Sequence, residues 1–271
     1  MSGALYLDLD GTLLGRGASL FHDGDGAISL LGARAVEACL RAQVELVLMS
    51  GRRRAQVTEG ARLFGQRAFI YEAGCVLELD GEQLWMTELL PGEHSVHRQI
   101  EDSGAPALLL ERYAGRLEYH APWHIDREIS HLFRGSVDAA EADALLAQNG
   151  HGNLRLVDNG GVHHPPADAQ GLRVYHLIPA GGSKAAAVAR HMRARGLSRE
   201  DTFAVGDSRE DLAVAAVVGS FWLVANALER DPTMREALAA HDNVRIAEAA
   251  YGAGVYEAVV TTLAERREGG S

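Results

Sequence analysis

The stretch Ala4-Leu5-Tyr6-Leu7-Asp8-Leu9-Asp10-Gly11-Thr12-Leu13-Leu14 is a short apolar run that ends in two acids and a glycine. It is too short for a core helix and lacks polar alternation, so it reads as a strand buried on both faces. Beyond it the chain settles into a rhythm. Helical spacing covers 33–42, a second apolar run covers 44–49, helical spacing returns over 53–64, and a third apolar run covers 68–71. Strand, helix, strand, helix, strand predicts an α/β fold with a parallel sheet. Residues 75–79 and 83–85 flank Asp80-Gly81, the signal of a type I′ hairpin.

The rhythm resumes late in the chain. An Ala-rich helix is predicted over 184–195, stopped by Gly196. A strand over 202–205, a helix over 209–217, a strand over 221–224 and a final helix over 251–267 come after it, with 266–271 read as a frayed tail. Between about 84 and 169 the pattern differs. Helices are expected over 93–102 and 138–148, and short strands over 116–120, 131–134, 153–157 and 172–178. Loops at Pro91-Gly92 and at 160–166 help bound these pieces. The expected organisation is a discontinuous Rossmann-like core, 1–83 and 171–271, with a small α+β module inserted at 84–170.

Composition limits the function. The chain has 271 residues, 47% hydrophobic and 23% charged, enough for a sizeable core in one large domain or two small ones. A net charge of −11 argues against broad nucleic-acid binding, which needs a basic surface. No apolar run approaches the ~20 residues of a membrane span. The first ten residues carry acids and no basic segment, so no signal peptide is expected and the cytoplasm is the expected location. Cys39 and Cys75 cannot form a disulfide framework or a zinc site alone and read as small buried apolar residues. Of the 26 basic residues only Lys184 is a lysine.

The chemistry collects at predicted strand ends, where open α/β sheets bind ligands. Asp8 and Asp10 close the first strand, and Gly11 permits a sharp turn. Such oxygen donors suit Mg²⁺, although a surface turn would leave the same pattern. Ser50-Gly51-Arg52 closes the second strand and offers a hydroxyl and free N–H groups to an anion, or a simple helix cap. Gly206-Asp207 closes a third, and Asp211 lies four residues on. The pair can face one cation, or favour a helix N-terminus. Lys184 opens a helix, where its charge opposes the helix dipole. Keeping a compact ammonium there, in a chain that otherwise uses Arg, points to a phosphate or carboxylate.

Taken in order, Asp-x-Asp-Gly-Thr, Ser-Gly-Arg, a single Lys and Gly-Asp-x-x-x-Asp resemble the haloacid dehalogenase superfamily across essentially the whole chain. The resemblance implies Mg²⁺-dependent phosphoryl transfer through an aspartyl-phosphate. Asp8 would be the nucleophile and Asp10 the acid and base. Mg²⁺ would be held by Asp8, the Asp10 carbonyl, Asp207 and Asp211. Ser50, Gly51 and Lys184 would bind phosphate. Only 42 positions separate Asp8 from Ser50, whereas 134 separate Ser50 from Lys184. The extra module therefore comes after the third strand, as in the sugar-phosphatase branch, the Cof-like and sucrose-phosphate phosphatases among them. The run Glu72-Ala73-Gly74 resembles that branch's Glu-Asn-Gly segment, with Ala73 in place of Asn; Glu210 also departs from the usual Asn.

The inserted module should select the substrate, a small phosphorylated metabolite such as a sugar phosphate or glycosyl-phosphoglycerate. Its candidate contacts are Arg134 and His120, with Arg116, His124 and His131 as further polar residues of its sheet. No Cys or carboxylate is seen to complete a zinc set with the twelve histidines, which are expected at the surface or in hydrogen bonds. The loop 21–26 is expected to be a surface loop or a substrate-side flap. No Walker-type G-x-x-x-x-G-K-[ST] occurs. A phosphosugar mutase shares the chemistry, and a non-catalytic binding protein could share the fold. The joint presence of Asp8, Asp10, Ser50, Lys184 and Asp207 favours an enzyme.

Overall fold

A computed structural model describes residues 3–162 and 171–269. Its first elements are β1 (Gly3–Asp8), α1 (Leu31–Arg41), β2 (Val44–Met49), α2 (Arg54–Leu63) and β3 (Ala68–Tyr71), followed by the hairpin β4 (Val76–Leu79) and β5 (Glu82–Trp85). The hairpin turns through Asp80 at φ +53° and Gly81 at φ +95°, both left-handed as a type I′ turn requires. After an intervening module come α6 (Lys184–Arg195), β10 (Thr202–Gly206), α7 (Arg209–Leu212), β11 (Ser220–Leu223), α8 (Asn226–Arg230), α9 (Met234–Leu238), β12 (Val244–Ile246) and α10 (Tyr251–Gly269). These strands form one sheet in the order β12-β11-β10-β1-β2-β3-β4-β5, parallel from β12 to β3 and antiparallel in the hairpin.

Alternation along β1 explains the two-sided burial. Leu5 and Leu7 join a core with Ala35, Val36 and Cys39 of α1 and Val255, Ala258 and Val259 of α10. Ala4 and Tyr6 join a second core with Ala187, Val188 and Met192 of α6. Each fully buried large side chain contributes roughly 1.5–3 kcal/mol. The Tyr6 hydroxyl, which would be costly to bury alone, lies 2.9 Å from His191 Nδ1. From β1 the chain winds outward through β2 and β3, and later through β10 and β11 on the other side. The carboxyl ends of β10, β1 and β2 therefore lie side by side at the point where the strand order reverses.

The intervening module holds α3 (Val96–Asp102), α4 (Ala105–Arg112), β6 (Leu117–Tyr119), β7 (His131–Gly135), α5 (Ala139–Gln148), β8 (Leu154–Gly161) and β9 (Arg173–Pro179). Its four strands form an antiparallel sheet in the order β6-β7-β9-β8. Phe133, Tyr175 and Leu177 pack with Ile100, Leu109 and Leu146 of the three helices. Leu132, Val174 and His176 alternate with them and face the larger sheet's carboxyl end, where they line its cavity.

Several expectations need correction. β9 pairs with β7 and β8, so the second sheet runs through Pro179 and cannot end at residue 170. Helix α4 was not foreseen; its Ala-Leu-Leu-Leu run shows no helical period, and only Ala105, Pro106 and Leu109 are buried. The five-residue helices α8 and α9 and the three-residue β12 are too short to show a period. Residues 266–269 continue α10 instead of fraying: the Arg266 guanidinium donates to the Glu200 carbonyl at 3.2 Å and lies 5.0 Å over the Phe203 ring. The pair His163-His164 and most of the 160–166 loop lie outside the described residues. Among the described residues no helix is long and apolar enough to cross a membrane.

Candidate active site

The three adjacent strand ends deliver Asp8, Ser50 and Asp207 to one place. β1 ends at Asp8 because the chain turns there, through Gly11 at φ +85°. Asn226 Nδ2 holds the Gly11 carbonyl at 2.8 Å and so fixes that turn. Ser50 follows β2 and is 1% exposed; its hydroxyl accepts from the Arg52 N–H at 3.2 Å. Asp207 follows β10. Its carboxylate accepts from Thr12 Oγ1 at 3.1 Å and from Arg230 Nη2 at 2.6 Å.

Lys184 is the first residue of α6 and is 0% exposed. Its Nζ donates to Asp8 Oδ1 at 2.8 Å and to Asp211 Oδ1 at 2.5 Å. The other oxygen of Asp211 accepts from the Asp207 and Ser208 N–H groups at 3.2 and 3.1 Å and from Ser208 Oγ at 2.6 Å. Asp211 thus closes the loop between β10 and α7 and presents Lys184 to Asp8. Glu210 accepts from the Lys184 backbone N–H at 3.2 Å and lies 3.5 Å from Arg155, so its charge is used to seat the start of α6.

One carboxylate oxygen from each of Asp8, Asp207 and Asp211 lies within 4.8 Å of the other two. Burial and the nearby Asp211 push the Asp8 carboxyl well above the usual range, although Lys184 opposes this. Burial raises Asp207 to about 6 against the pull of Arg230. For Lys184 burial disfavours the charge, but Asp211 and Asp8 outweigh it and raise the ammonium. Three crowded carboxylates against two cations leave negative charge uncompensated in a buried place. An oxygen-only donor set with that deficit fits a hard divalent cation.

Asp10 is half-exposed and meets Arg52 in a fork, Nε to Oδ2 and Nη2 to Oδ1, both 2.6 Å. Such bidentate pairing fixes orientation as well as charge. Above these groups lies a cavity of about 650 Å³, bordered by both sheets. The larger sheet's side contributes Asp8, Asp10, Ser50, Gly51 and Asp207; the smaller contributes His120, Arg127, Asn159 and His176.

No protein-family model matches the chain. It is 27% identical over 262 residues to a phosphoglycolate phosphatase of Methanoculleus marisnigri, covering 96% of each protein. Its structure resembles the sucrose-phosphatase of Synechocystis at a TM-score of 0.63, with 14% identity over 97% of this chain and 98% of that one. A haloacid dehalogenase-like hydrolase of Bacteroides thetaiotaomicron gives 0.61, with 16% identity over 96% and 99% of the two chains. The chain has the haloacid dehalogenase-like fold. In this fold the motifs that are scattered along the sequence meet: Asp8, Asp10, Ser50, Gly51, Asp207 and Asp211 all border the one cavity, with Lys184 beneath them.

The module residues divide. His120 lines the cavity; burial, Arg134 and Arg127 lower its pKa. Arg134 does not line it. Its Nε donates to Glu118 Oε1 at 2.7 Å on the neighbouring strand, where the register sets the two opposite each other. Arg116 lies over the Tyr113 ring, His124 stacks on Tyr119, and His131 is buried against His97. The flap-like contribution comes from residues 14–18 and not from 21–26.

Sequence reasoning missed the groups that join the two modules. Glu72, 0% exposed at φ +46°, accepts from the N–H groups of Glu128, Ile129 and Ser130 and from Ser130 Oγ at 2.9, 3.2, 2.6 and 2.8 Å. Arg127 Nη1 donates to the Gly51 carbonyl at 3.0 Å and to Ser130 Oγ at 2.9 Å. A side chain on Gly51 would meet His176 Nε2 at 2.6 Å. Arg127 and Ser130 left no trace in the sequence; Glu72 was marked only through the run Glu72-Ala73-Gly74.

Proposed function

We propose that the protein is a Mg²⁺-dependent phosphatase of small phosphate monoesters, working through an aspartyl-phosphate on Asp8. The observation that carries this reading is the placement of Asp8. One of its oxygens is held by Lys184 at 2.8 Å, and its carboxylate lies on the wall of a cavity of about 650 Å³. That leaves Oδ2 for attack on phosphorus. The ester P–O bond breaks as the Asp8–P bond forms, which splits one hard step into two.

Lys184 offsets charge on Asp8 as the phosphate approaches, and Ser50 with the Gly51 N–H receives phosphate oxygens. Asp10 moves the protons. An Arg fork pairs with a carboxylate, the form that takes a proton from water when the acyl-phosphate is hydrolysed. To give a proton to the leaving alkoxide in the first step, Asp10 must be protonated and leave Arg52. Asp8 and Asp207, with the Asp10 carbonyl, would hold Mg²⁺; Asp211, whose two oxygens serve Lys184 and the loop, acts behind them. When bound, the ion would screen the repulsion between Asp8 and phosphate and stabilise charge in the transition state.

The smaller sheet supplies the selective wall, through His120, Asn159 and His176. The candidate substrates are sugar phosphates and phosphorylated hydroxy acids such as phosphoglycolate, drawn from the names of the relatives and the polar groups on that wall. The test is phosphate release from a panel of both classes, with and without Mg²⁺, for the wild type and Asp8→Asn. Metal-dependent release that Asp8→Asn abolishes is expected. Retention of most activity by Asp8→Asn would refute the nucleophile; an isomerised sugar phosphate without free phosphate would identify a mutase.

A further inference from the structure

Outside the lining of the cavity, the smaller module brings together His97, Glu101 and His131. One donor atom of each lies within 4.8 Å of the other two. His97 and Glu101 are one turn apart on α3 and share a face; His131 opens β7. Three hydrogen bonds fix the pieces. The His97 N–H donates to the Glu128 carbonyl at 2.9 Å, His97 Nδ1 lies 3.0 Å from the Ser130 carbonyl, and His131 Nε2 lies 3.1 Å from the His97 carbonyl. A carbonyl takes only a donated hydrogen, so each ring spends one N–H there. His97 Nε2 and His131 Nδ1 are left to offer lone pairs. Metal-binding histidines are oriented in this way, with the second nitrogen donating to a backbone carbonyl.

The distances discriminate between a proton and a larger cation. His131 Nδ1 and Glu101 Oε2 are 3.4 Å apart. A charge-assisted hydrogen bond would draw them to about 2.7–2.9 Å. Metal bonds of about 2.0–2.1 Å make a tetrahedron whose edge is about 3.3–3.4 Å. Among the described residues, only the Tyr119 hydroxyl, 3.4 Å from both atoms, is placed to offer either one a hydrogen. The two rings stack at 3.9 Å and 11°, so the half-buried His97 ring must tilt for both nitrogens to reach one ion.

We infer that His97, Glu101 and His131 form a second metal site, for a Zn²⁺-class cation. Two imidazole nitrogens and one carboxylate oxygen suit zinc and its neighbours and not Mg²⁺, which takes oxygen ligands. The site differs in chemistry from the Asp8 cluster and would tie α3 to the start of β7. It adjoins Ser130, whose hydroxyl meets Glu72, Arg127 and His176. An ion here would stiffen the segment that joins the two modules.

The experiment is a Co²⁺ titration of chelator-washed full-length protein in excess Mg²⁺, added to fill the carboxylate cluster under the proposed function, followed by Zn²⁺ competition. Wild type should develop the intense visible absorption of a four-coordinate Co²⁺ ion at one equivalent, and Zn²⁺ should abolish it. His97→Ala and Glu101→Gln should each lose more than the roughly 10–100-fold in affinity that removal of an orienting partner costs. Both should keep wild-type phosphate release with Mg²⁺. Absence of the absorption in wild type, or its persistence in both variants, would overturn the proposal.

Discussion

Replacing Glu72 with Ala tests the join between the two sheets. The carboxylate is 0% exposed and accepts four hydrogen bonds from residues 128–130. Ile129 and Ser130 are also 0% exposed, so water cannot replace the lost acceptor for their N–H groups. A buried donor left unsatisfied costs about 1–3 kcal/mol. Arg127, 8% exposed and 3.9 Å from Glu72, loses its nearby countercharge, and breaking a buried charge pair costs about 3–5 kcal/mol. These losses overlap, so the expected destabilisation is about 4 kcal/mol and not their sum. For a chain near this size each kcal/mol moves Tm by about 2–4 °C, which gives a fall of about 8–16 °C. Glu72→Gln keeps one acceptor oxygen and should cost about 1–3 kcal/mol. Differential scanning calorimetry measures both. Phosphate release well below Tm should also weaken in Glu72→Ala, because Arg127 braces the Gly51 carbonyl beside Ser50. If Glu72→Ala melts within about 2 °C of wild type, the carboxylate does not hold the segment 127–130, and the Ser50-Gly51 turn is not braced through it.

Other perturbations probe the floor of the cavity. Lys184→Arg places a larger, planar cation where a 0% exposed ammonium meets two carboxylates, so phosphate release should fall at least ~10²-fold, in line with loss of a transition-state donor; a loss under about threefold would show that the position tolerates any cation. A methyl group at Gly74 would lie 2.1 Å from Ser183 C and 2.2 Å from Lys184 N, at φ +84°. Gly74→Ala should therefore displace the start of α6, lowering both stability, by more than about 2 kcal/mol, and activity; urea unfolding and phosphate release report the two. His176 is buried, and burial, Arg127 and Lys184 hold its pKa well below 6.5. It stays neutral in the folded state while the unfolded chain takes up a proton below pH 6.5. The folded state thus loses stability as pH falls through and below that value. His176→Gln should flatten the pH dependence of the urea midpoint between pH 7 and 5; an unchanged slope would show that His176 does not stay neutral.

The sequence made the larger sheet legible because its strands are buried on both faces and its motifs stand at strand ends. Val44–Met49 and Ala68–Tyr71 have no other reading, and Asp80-Gly81 specifies its own turn. The candidate site was legible for a related reason: Asp8, Ser50, Lys184 and Asp207 are each locally unusual, and the fold brings them together. The smaller module was less so. Its strands pair over long separations, so nothing local assigns β9 to β7. Arg134 looked free for an anion because its partner Glu118 is set by cross-strand register. Glu101 escaped the histidine count because the third member, His131, is brought to it only by the packing of α3 on the sheet. Charge pairs such as Arg52 with Asp10, or Arg230 with Asp207, join residues 42 and 23 positions apart and have no motif.

The burial of Lys184 also governs its own chemical reactivity. It is the only lysine in 271 residues, and in the folded protein it is 0% exposed. The surface therefore offers no lysine to acylating reagents, amine crosslinkers, or enzymes that acetylate or ubiquitinate side-chain amines. Any modification found at Lys184 must have occurred while α6 was away from Asp8. One residue thus serves as a chemical record of opening, readable by mass spectrometry without a label or an engineered probe.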